Sequence, residues 1–160
     1  MLIAVHAVGR MKAGPEQELA ARYFDRLARS GRGIGLDFAG VVEIAEGRSQ
    51  SADERRRDEA ARLRAGIGPD AALIALDERG KSITSDEFAR RIAALRDGGR
   101  RGAAFVVGGP DGLDPGLRDA AELVVSFGRL TWPHQLARIM LAEQLYRAVT
   151  ILSGHPYHRA

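Results

Sequence analysis

The chain has 160 residues, a length typical of a single domain that can bury a complete hydrophobic core. Hydrophobic residues make up 45% of it and charged residues 28%, a balance typical of globular proteins, and no apolar run is long enough to predict a membrane span. Cysteine is absent and the net charge is +3, which excludes disulfides and thiolate chemistry, favours a cytoplasmic location and is compatible with a nucleic-acid partner.

The first half of the chain alternates predicted strands with predicted helices. Residues 2–8 form an apolar run without a preceding basic segment, which predicts a first strand and argues against a signal peptide. A helix is predicted from Pro15, because proline is favoured in the first helical turn. Alternating apolar residues predict a second strand over residues 34–44. Ser51 and Glu54 have capping-box spacing, which predicts the start of a charged helix.

The same alternation continues to the end of the chain. Thr84 and Glu87 repeat the capping-box pattern, and Asp114 before Pro115 predicts another helix start. Strands are predicted over residues 71–76, 103–107 and 123–127, and a final helix over residues 133–152. Such alternation is typical of a mainly parallel sheet with helices on both faces. We therefore expect an α/β fold in a single domain over residues 1–160.

Three predicted loops follow strands of this sheet and are unusual in composition. They cover residues 76–81, 108–112 and 127–133, and all three contain glycine. In an open α/β sheet, ligands bind beyond the carboxyl ends of the strands, and glycine lets a ligand approach the backbone closely. Each loop alone is compatible with a tight turn. Three of them at one edge of a sheet indicate a shared binding pocket.

Several familiar sites are excluded by spacing. Gly80, Lys81 and Ser82 resemble the end of a phosphate-binding loop, but that motif needs glycine where this chain has Ala75. No glycine fingerprint for a dinucleotide opens a helix, no histidine or carboxylate spacing predicts a metal site, and no serine lies in a nucleophile elbow.

The final helix and the tail after it concentrate groups that handle protons and bind anions. Three of the four histidines lie there. The residues of this segment that could take such roles include His134, Arg138, Glu143, Arg147, His155, Tyr157, His158 and Arg159. Glu143 and Arg147 are four residues apart on a helix, so a simple surface ion pair also explains them. Each of the others could alone be a surface residue, but the cluster favours a tail that is docked and used.

These segments resemble a known family. The matching stretches are Leu-Asp-Glu-Arg-Gly-Lys at 76–81, Gly-Gly-Pro-Asp-Gly-Leu at 108–113, Leu-Thr-Trp-Pro-His-Gln-Leu-Ala-Arg at 130–138, Glu-Gln-Leu-Tyr-Arg-Ala at 143–148 and Gly-His-Pro-Tyr-His-Arg at 154–159. In order and spacing, across essentially the whole chain, they resemble the ribosomal RNA large subunit methyltransferase H family, a minimal branch of the SPOUT methyltransferases.

The resemblance implies a fold and an activity. It implies a SPOUT-type parallel sheet flanked by helices, with a deep trefoil knot in the C-terminal half, a feature that general rules of chain topology argue against. It also implies a homodimer that uses S-adenosylmethionine to methylate N3 of a pseudouridine. That nucleotide lies in helix 69 of 23S rRNA, and the substrate is the assembled 70S ribosome.

The resemblance also implies a cofactor site without a metal. By similarity, the residues against the cofactor are Leu76, Gly108, Gly109, Phe127, Gly128, Arg129, Leu130, Thr131 and Trp132. The family often has serine near position 128 and a smaller apolar residue at position 132. Backbone contacts usually dominate at such positions, so we expect altered packing here and retained binding.

A catalytic hypothesis follows from the reaction. N3 of a pseudouridine carries a proton that must leave, and either His134 or His158 could accept it. Arg138 and Arg159 would hold phosphate or the negative charge that develops on N3. Tyr157 would order the tail or stack on a base.

Three other functions remain open from the residues alone. A non-catalytic, ribosome-associated binding module could retain the same fold. An enzyme could use a different nucleotide, although the missing fingerprints weigh against it. A methyltransferase of this fold could act on tRNA instead of ribosomal RNA.

Overall fold

The computed structural model describes residues 1–158 and confirms the alternation of strands and helices. The elements are β1 (Leu2–Val8), α1 (Pro15–Gly31), a 3₁₀ turn (Arg32–Ile34), β2 (Asp37–Ile44), α2 (Ala52–Ala65), β3 (Ala71–Lys81), α3 (Ser85–Asp97), β4 (Gly102–Val107), α4 (Pro115–Asp119), β5 (Leu123–Val125) and α5 (His134–Leu152). None of the helices within these residues is both long and apolar enough to cross a membrane.

The five strands form one sheet in the order β2-β1-β4-β3-β5, and every neighbouring pair is parallel. The predicted α/β fold with a parallel sheet is therefore confirmed. The connection after β1 leads toward one edge of the sheet, to β2, whereas the chain after β4 leads toward the other edge, to β5. The carboxyl ends of the adjacent strands β1 and β4 thus flank the topological switch point, where the chain direction divides. Open α/β sheets bind ligands at this point.

Two apolar cores cover the two faces of the sheet. On one face, α1, α3 and α5 bury side chains such as Leu27, Phe88 and Leu145 against alternate residues of β1, β3 and β4. On the other face, a smaller core brings α2 and α4 onto the sheet through Leu63 and Leu117. Strands buried on both sides explain why the sequence shows continuous apolar runs there.

The helix starts agree with the sequence, but only some of the predicted caps form. Thr84 and Glu87 make the full capping box at α3, and the Asp114 side chain accepts a hydrogen bond from the Leu117 N–H at α4. Ser51 does occupy the cap position of α2, but its side chain makes no capping hydrogen bond within the described residues. The prediction of a capping box at α2 is therefore wrong.

Three strand boundaries differ from the predictions by two or more residues. β5 ends at Val125, two residues before its predicted end at residue 127. Ile34 lies in the 3₁₀ turn, and β2 begins at Asp37. β3 continues to Lys81, so the segment 76–81 is a strand extension with a register shift between Leu76 and Lys81 and not a loop. Gly80 makes this possible, because a Cβ there would lie 2.7 Å from the Val125 carbonyl carbon. The deep knot that the resemblance implies stays a prediction.

Candidate functional site

The three segments predicted to bind a ligand meet at the carboxyl edge of neighbouring strands. Leu76 pairs with Val107 of β4 on one side and with Val125 of β5 on the other. Gly108 follows directly after β4, and Phe127 lies two residues after β5. Leu76 is 9% exposed and belongs to the larger apolar core.

The loop after β4 is a tight glycine turn. The Gly112 N–H donates to the Gly109 carbonyl at 2.9 Å, and the two residues form an antiparallel bridge. A Cβ on Gly108 would lie 2.7 Å from the Gly112 carbonyl carbon, and one on Gly109 would lie 2.9 Å from Cγ1 of Val8. The glycines are therefore needed to close the turn, and they also leave backbone groups without side-chain cover.

An arginine of α2 braces this turn. Arg55 forms two hydrogen bonds with the Asp111 carboxylate, at 2.7 and 3.1 Å, and its Nη1 donates to the Ser49 and Gln50 carbonyls. The hydrogen bond from Arg55 holds the pKa of Asp111 below its ordinary value. Asp111 lies 56 residues from Arg55 along the chain, so no local sequence pattern indicates this contact.

The segment after β5 is anchored at its start and exposed further on. The buried Ser126 hydroxyl donates to the Gly128 carbonyl at 2.9 Å and accepts from the Gly128 N–H at 3.1 Å. Gly128 has a φ of +112°, a conformation that side chains disfavour, which accounts for glycine at this position. The exposed residues of this segment are Arg129, Leu130, Thr131 and Trp132.

A cleft of about 560 Å³ lies beside this edge, on the face covered by α1, α3 and α5. Of the nine predicted cofactor residues, only Phe127 and Gly128 line it. The rest of its lining mixes apolar residues such as Leu19, Ile139 and Met140 with polar ones, namely Ser82, Thr84, Ser85, Ser126, Glu143 and Gln144. The cleft is thus mainly a groove between helices and not the pocket formed by the loops.

Arg138 lies inside the protein. Its side chain is 2% exposed, its Nη1 contacts Oε1 of Glu43 at 2.8 Å, and its Nη2 donates to the Val8 and Gly9 carbonyls. Burial lowers the pKa of Arg138, and the adjacent Glu43 opposes that shift. With both terminal nitrogens engaged by the protein, this arrangement does not support the predicted contact of Arg138 with phosphate. Glu43 had no recognisable signal in the sequence.

His134 is half-buried at the first position of α5 and lies above the end of β1. A Cβ placed on Gly9 would be 3.7 Å from His134 Nε2 and 3.2 Å from Glu46 Oε1. An imidazole and a carboxylate therefore converge over Gly9, at the point between β1 and β4 where the chain direction divides. Sequence reasoning missed Glu46, which belongs to a segment without a motif.

The tail is docked on α5 through one carboxylate. The Tyr157 hydroxyl donates to Glu143 Oε1 at 3.1 Å, and Arg147 pairs with the same oxygen at 2.6 Å. The Arg147 guanidinium lies 5.1 Å from the centre of the Tyr157 ring, whose other neighbour is the Tyr146 ring at 4.8 Å. Burial raises the pKa of Tyr157.

The tail and His134 are not brought together within one chain. His158 Nε2 lies 3.8 Å from Oδ1 of Asp86, in the first turn of α3, and Arg159 lies outside the described residues. Glu143, which holds the tail, follows His134 by nine residues, or about 13 Å along a helix. The predicted proton-handling groups thus form two separate clusters. Residues 1–158 contain no cluster of three or more carboxylates or histidines able to hold a metal ion.

Comparison with known proteins places the chain in a family. The family described as "Predicted SPOUT methyltransferase" matches residues 1–158. Proteins named ribosomal RNA large subunit methyltransferase H from Mesorhizobium japonicum and Brucella anthropi are 68% and 58% identical, over 100% of this chain and 100% of each relative. The SpoU methyltransferase AviRb of Streptomyces viridochromogenes, solved with AdoMet, is a distant structure, 15% identical, with a TM-score of 0.41 over 96% of this chain and 61% of its own. The chain belongs to the SPOUT methyltransferases, and within them to the ribosomal RNA large subunit methyltransferase H family.

Proposed function

We propose that this protein transfers a methyl group from S-adenosylmethionine to ribosomal RNA of the large subunit. The observation that carries the proposal is the meeting of Leu76, the Gly108–Gly112 turn and the segment from Phe127 at one edge of three adjacent strands. Family membership supports the reaction, and the relatives' names support the class of RNA. The finer target is N3 of a pseudouridine in helix 69 of 23S rRNA, in the assembled 70S ribosome.

The residues at this edge fit the proposed cofactor. Its sulfonium supplies an electrophilic methyl group when the cofactor is bound. The turn at Gly108 and the exposed backbone of residues 129–132 offer N–H and carbonyl groups that can read an adenine edge, and Leu76 offers an apolar contact. Backbone recognition of this kind does not depend on the side chains at positions 129–132, which are exposed.

The proton on N3 must leave before or during methyl transfer, so a nearby base is useful. His134 fits this role because it lies half-buried at the dividing point of the sheet with the Glu46 carboxylate beside it. His158 is the second candidate. Tyr157 orders the tail through Glu143 and Arg147, and Arg159 would hold phosphate.

A homodimer would bring the two clusters together. About 13 Å of α5 separates His134 from the Glu143 that holds the tail, so one chain does not join them. The groove between α1, α3 and α5 combines apolar residues such as Leu19, Ile139 and Met140 with polar ones such as Glu143 and Gln144, a mixture suited to the surface of a second copy. In such a dimer, the tail of one subunit would complete the pocket of the other, and the pair would present a wider surface to the ribosome in the cytoplasm.

The test is methyl transfer from labelled S-adenosylmethionine, followed by mapping of the modified nucleotide. The substrates are unmodified assembled ribosomes, isolated large subunits, free 23S rRNA and tRNA. Transfer only to assembled ribosomes, at the helix 69 pseudouridine, is the expected result. Transfer to tRNA would overturn the proposed RNA target but would still support methyl transfer from S-adenosylmethionine. Failure to bind the cofactor would favour a non-catalytic binding module.

A further inference from the structure

One carboxylate and one guanidinium tie together four parts of the chain at the carboxyl edge of the sheet. Glu43, near the end of β2, accepts hydrogen bonds from Arg138 Nη1 at 2.8 Å and from the Met11 N–H at 3.0 Å, both at Oε1. Arg138 Nη2 donates to the Val8 and Gly9 carbonyls at the end of β1. The two side chains, here called the Glu43–Arg138 clamp, thus join β1, the loop after it, β2 and α5.

The clamp is costly to bury, which indicates that it does more than stabilise the fold. Arg138 is among the largest fully buried side chains, at 2% exposure, and its Nε finds no hydrogen-bond partner among residues 1–158. Removing a guanidinium from water is unfavourable unless its donors are paired, and a well-packed apolar side chain often stabilises a buried position as well or better. What the clamp supplies, and an apolar residue would not, is a fixed geometry between the strand ends and α5.

The element that this geometry fixes comes directly after the proposed cofactor segment. α5 begins at His134, immediately after residues 127–133, and Arg138 is one turn further along. At its other end the segment is held by the hydrogen bonds between Ser126 and Gly128. Between these two anchors, residues 129–133 are exposed, with Leu130 at 70% and Trp132 at 41%. The anchors at the two ends therefore determine the path of the exposed part.

We propose that Glu43 and Arg138 are positioning residues that hold the cofactor segment in its binding conformation before the cofactor arrives. This inference rests on the proposed function, because it assigns the segment to the cofactor. The clamp then sets the fraction of molecules whose cofactor segment is in the binding conformation. Weakening the clamp lowers that fraction, and the apparent dissociation constant of the cofactor rises in proportion. The rate at saturating cofactor stays near its original value, because the bound cofactor restores the conformation.

The test uses Glu43→Gln in the full chain. Glutamine keeps an acceptor for the Met11 N–H but removes the charge that faces Arg138. We expect the dissociation constant of S-adenosylmethionine, measured by calorimetry, to rise about tenfold, as for a competent fraction of about 0.1. We expect kcat at saturating cofactor to change less than about threefold, a split that general destabilisation would not produce in molecules that circular dichroism shows to be folded.

Glu122→Gln is the matched control. Glu122 pairs with Arg100 at 2.8 Å, at the opposite edge of the sheet, and the same chemical change there is expected to leave cofactor affinity unaltered. Unchanged affinity in folded Glu43→Gln would overturn the inference, as would a loss of kcat with unchanged affinity. Failure of the unsubstituted protein to bind S-adenosylmethionine would instead overturn the proposed function, so the two failures are distinguishable.

Discussion

Gly108 has the clearest structural reason to be glycine among the proposed cofactor residues. A Cβ there would lie 2.7 Å from the Gly112 carbonyl carbon, which belongs to backbone and cannot rotate away. We expect Gly108→Ala to lower the free energy of unfolding by about 1–3 kcal/mol through overpacking. The same change should weaken cofactor binding, because the turn must open to make room for the alanine side chain. Urea unfolding and calorimetry measure the two effects.

Gly68→Ala is the control for this substitution. A Cβ at Gly68 would meet nothing within 4 Å, so we expect stability and cofactor affinity to stay close to those of the unsubstituted protein. Equal behaviour of the two variants would contradict the proposed role of the Gly108 turn.

His6 predicts a pH-dependent stability that originates far from the tail histidines. It is 3% exposed in β1, its Nδ1 has no hydrogen-bond partner among residues 1–158, and burial lowers its pKa from 6.5. The unfolded chain therefore binds a proton at a higher pH than the folded chain does. Below about pH 6.5, the free energy of unfolding should fall until the lower folded pKa is reached.

His6→Gln isolates this contribution, because glutamine does not titrate. We expect the unsubstituted protein to lose more stability than the variant between about pH 7.5 and about pH 5.5 in urea unfolding. Parallel pH profiles for the two proteins would show that His6 titrates alike in the folded and unfolded chains.

At the level of single elements, Thr84 and Ser51 share the capping-box sequence pattern but differ in how much they stabilise the helices that follow them. Thr84 caps α3, accepting a hydrogen bond from the Glu87 N–H at 3.1 Å, whereas Ser51 makes no such bond at α2. We expect Thr84→Ala to cost about 1 kcal/mol of unfolding free energy and Ser51→Ala considerably less. Chemical denaturation of both variants measures the difference, and equal losses would contradict the assignment.

The starts of α1, α3 and α4 could be predicted because proline and capping residues act on neighbouring backbone groups. The end of β3 could not. Residues 76–81 contain glycine and charged residues, which is typical of a loop, yet they extend β3 because the backbone around Gly80 packs against Val124 and Val125 of β5. That contact spans more than 40 residues, so no local pattern encodes it.

At the level of the whole molecule, the groove between helices predicts self-association. Leu19 is 37% exposed and lines the groove, so a charge there should disrupt a dimer with little effect on the folded chain. We expect sedimentation to give twice the 17.3 kDa chain mass for the unsubstituted protein and the single mass for Leu19→Lys. Leu2→Lys, at a position 55% exposed in β1, is the control and should remain dimeric.

The docked tail predicts a separation of activity from folding. Deletion of residues 155–160 removes Tyr157, with its bond to Glu143 and its packing against the edge of the larger core, but removes no strand and none of the buried core residues. We expect methyl transfer to fall by at least about 100-fold, the scale of a lost proton-handling group, with circular dichroism and chain mass by sedimentation unchanged apart from the deletion. Near-normal turnover of the truncated protein would show that the tail is dispensable.

The sequence by itself determined the order of strands and helices, the parallel α/β class and the three segments that meet at one sheet edge. These follow from periodicity, capping residues and glycine, all of which act over a few residues. Only the tertiary structure decided that Arg138 is buried, because the sequence predicted it to hold phosphate or the charge that develops on N3. Its partners Glu43, Val8 and Gly9 lie 95 to 130 residues away, and burial among them depends on the packing of α5 against the ends of β1 and β2. The tertiary structure also separates His134 from the tail, because His134 begins α5 and the tail docks on Glu143, about 13 Å further along that helix.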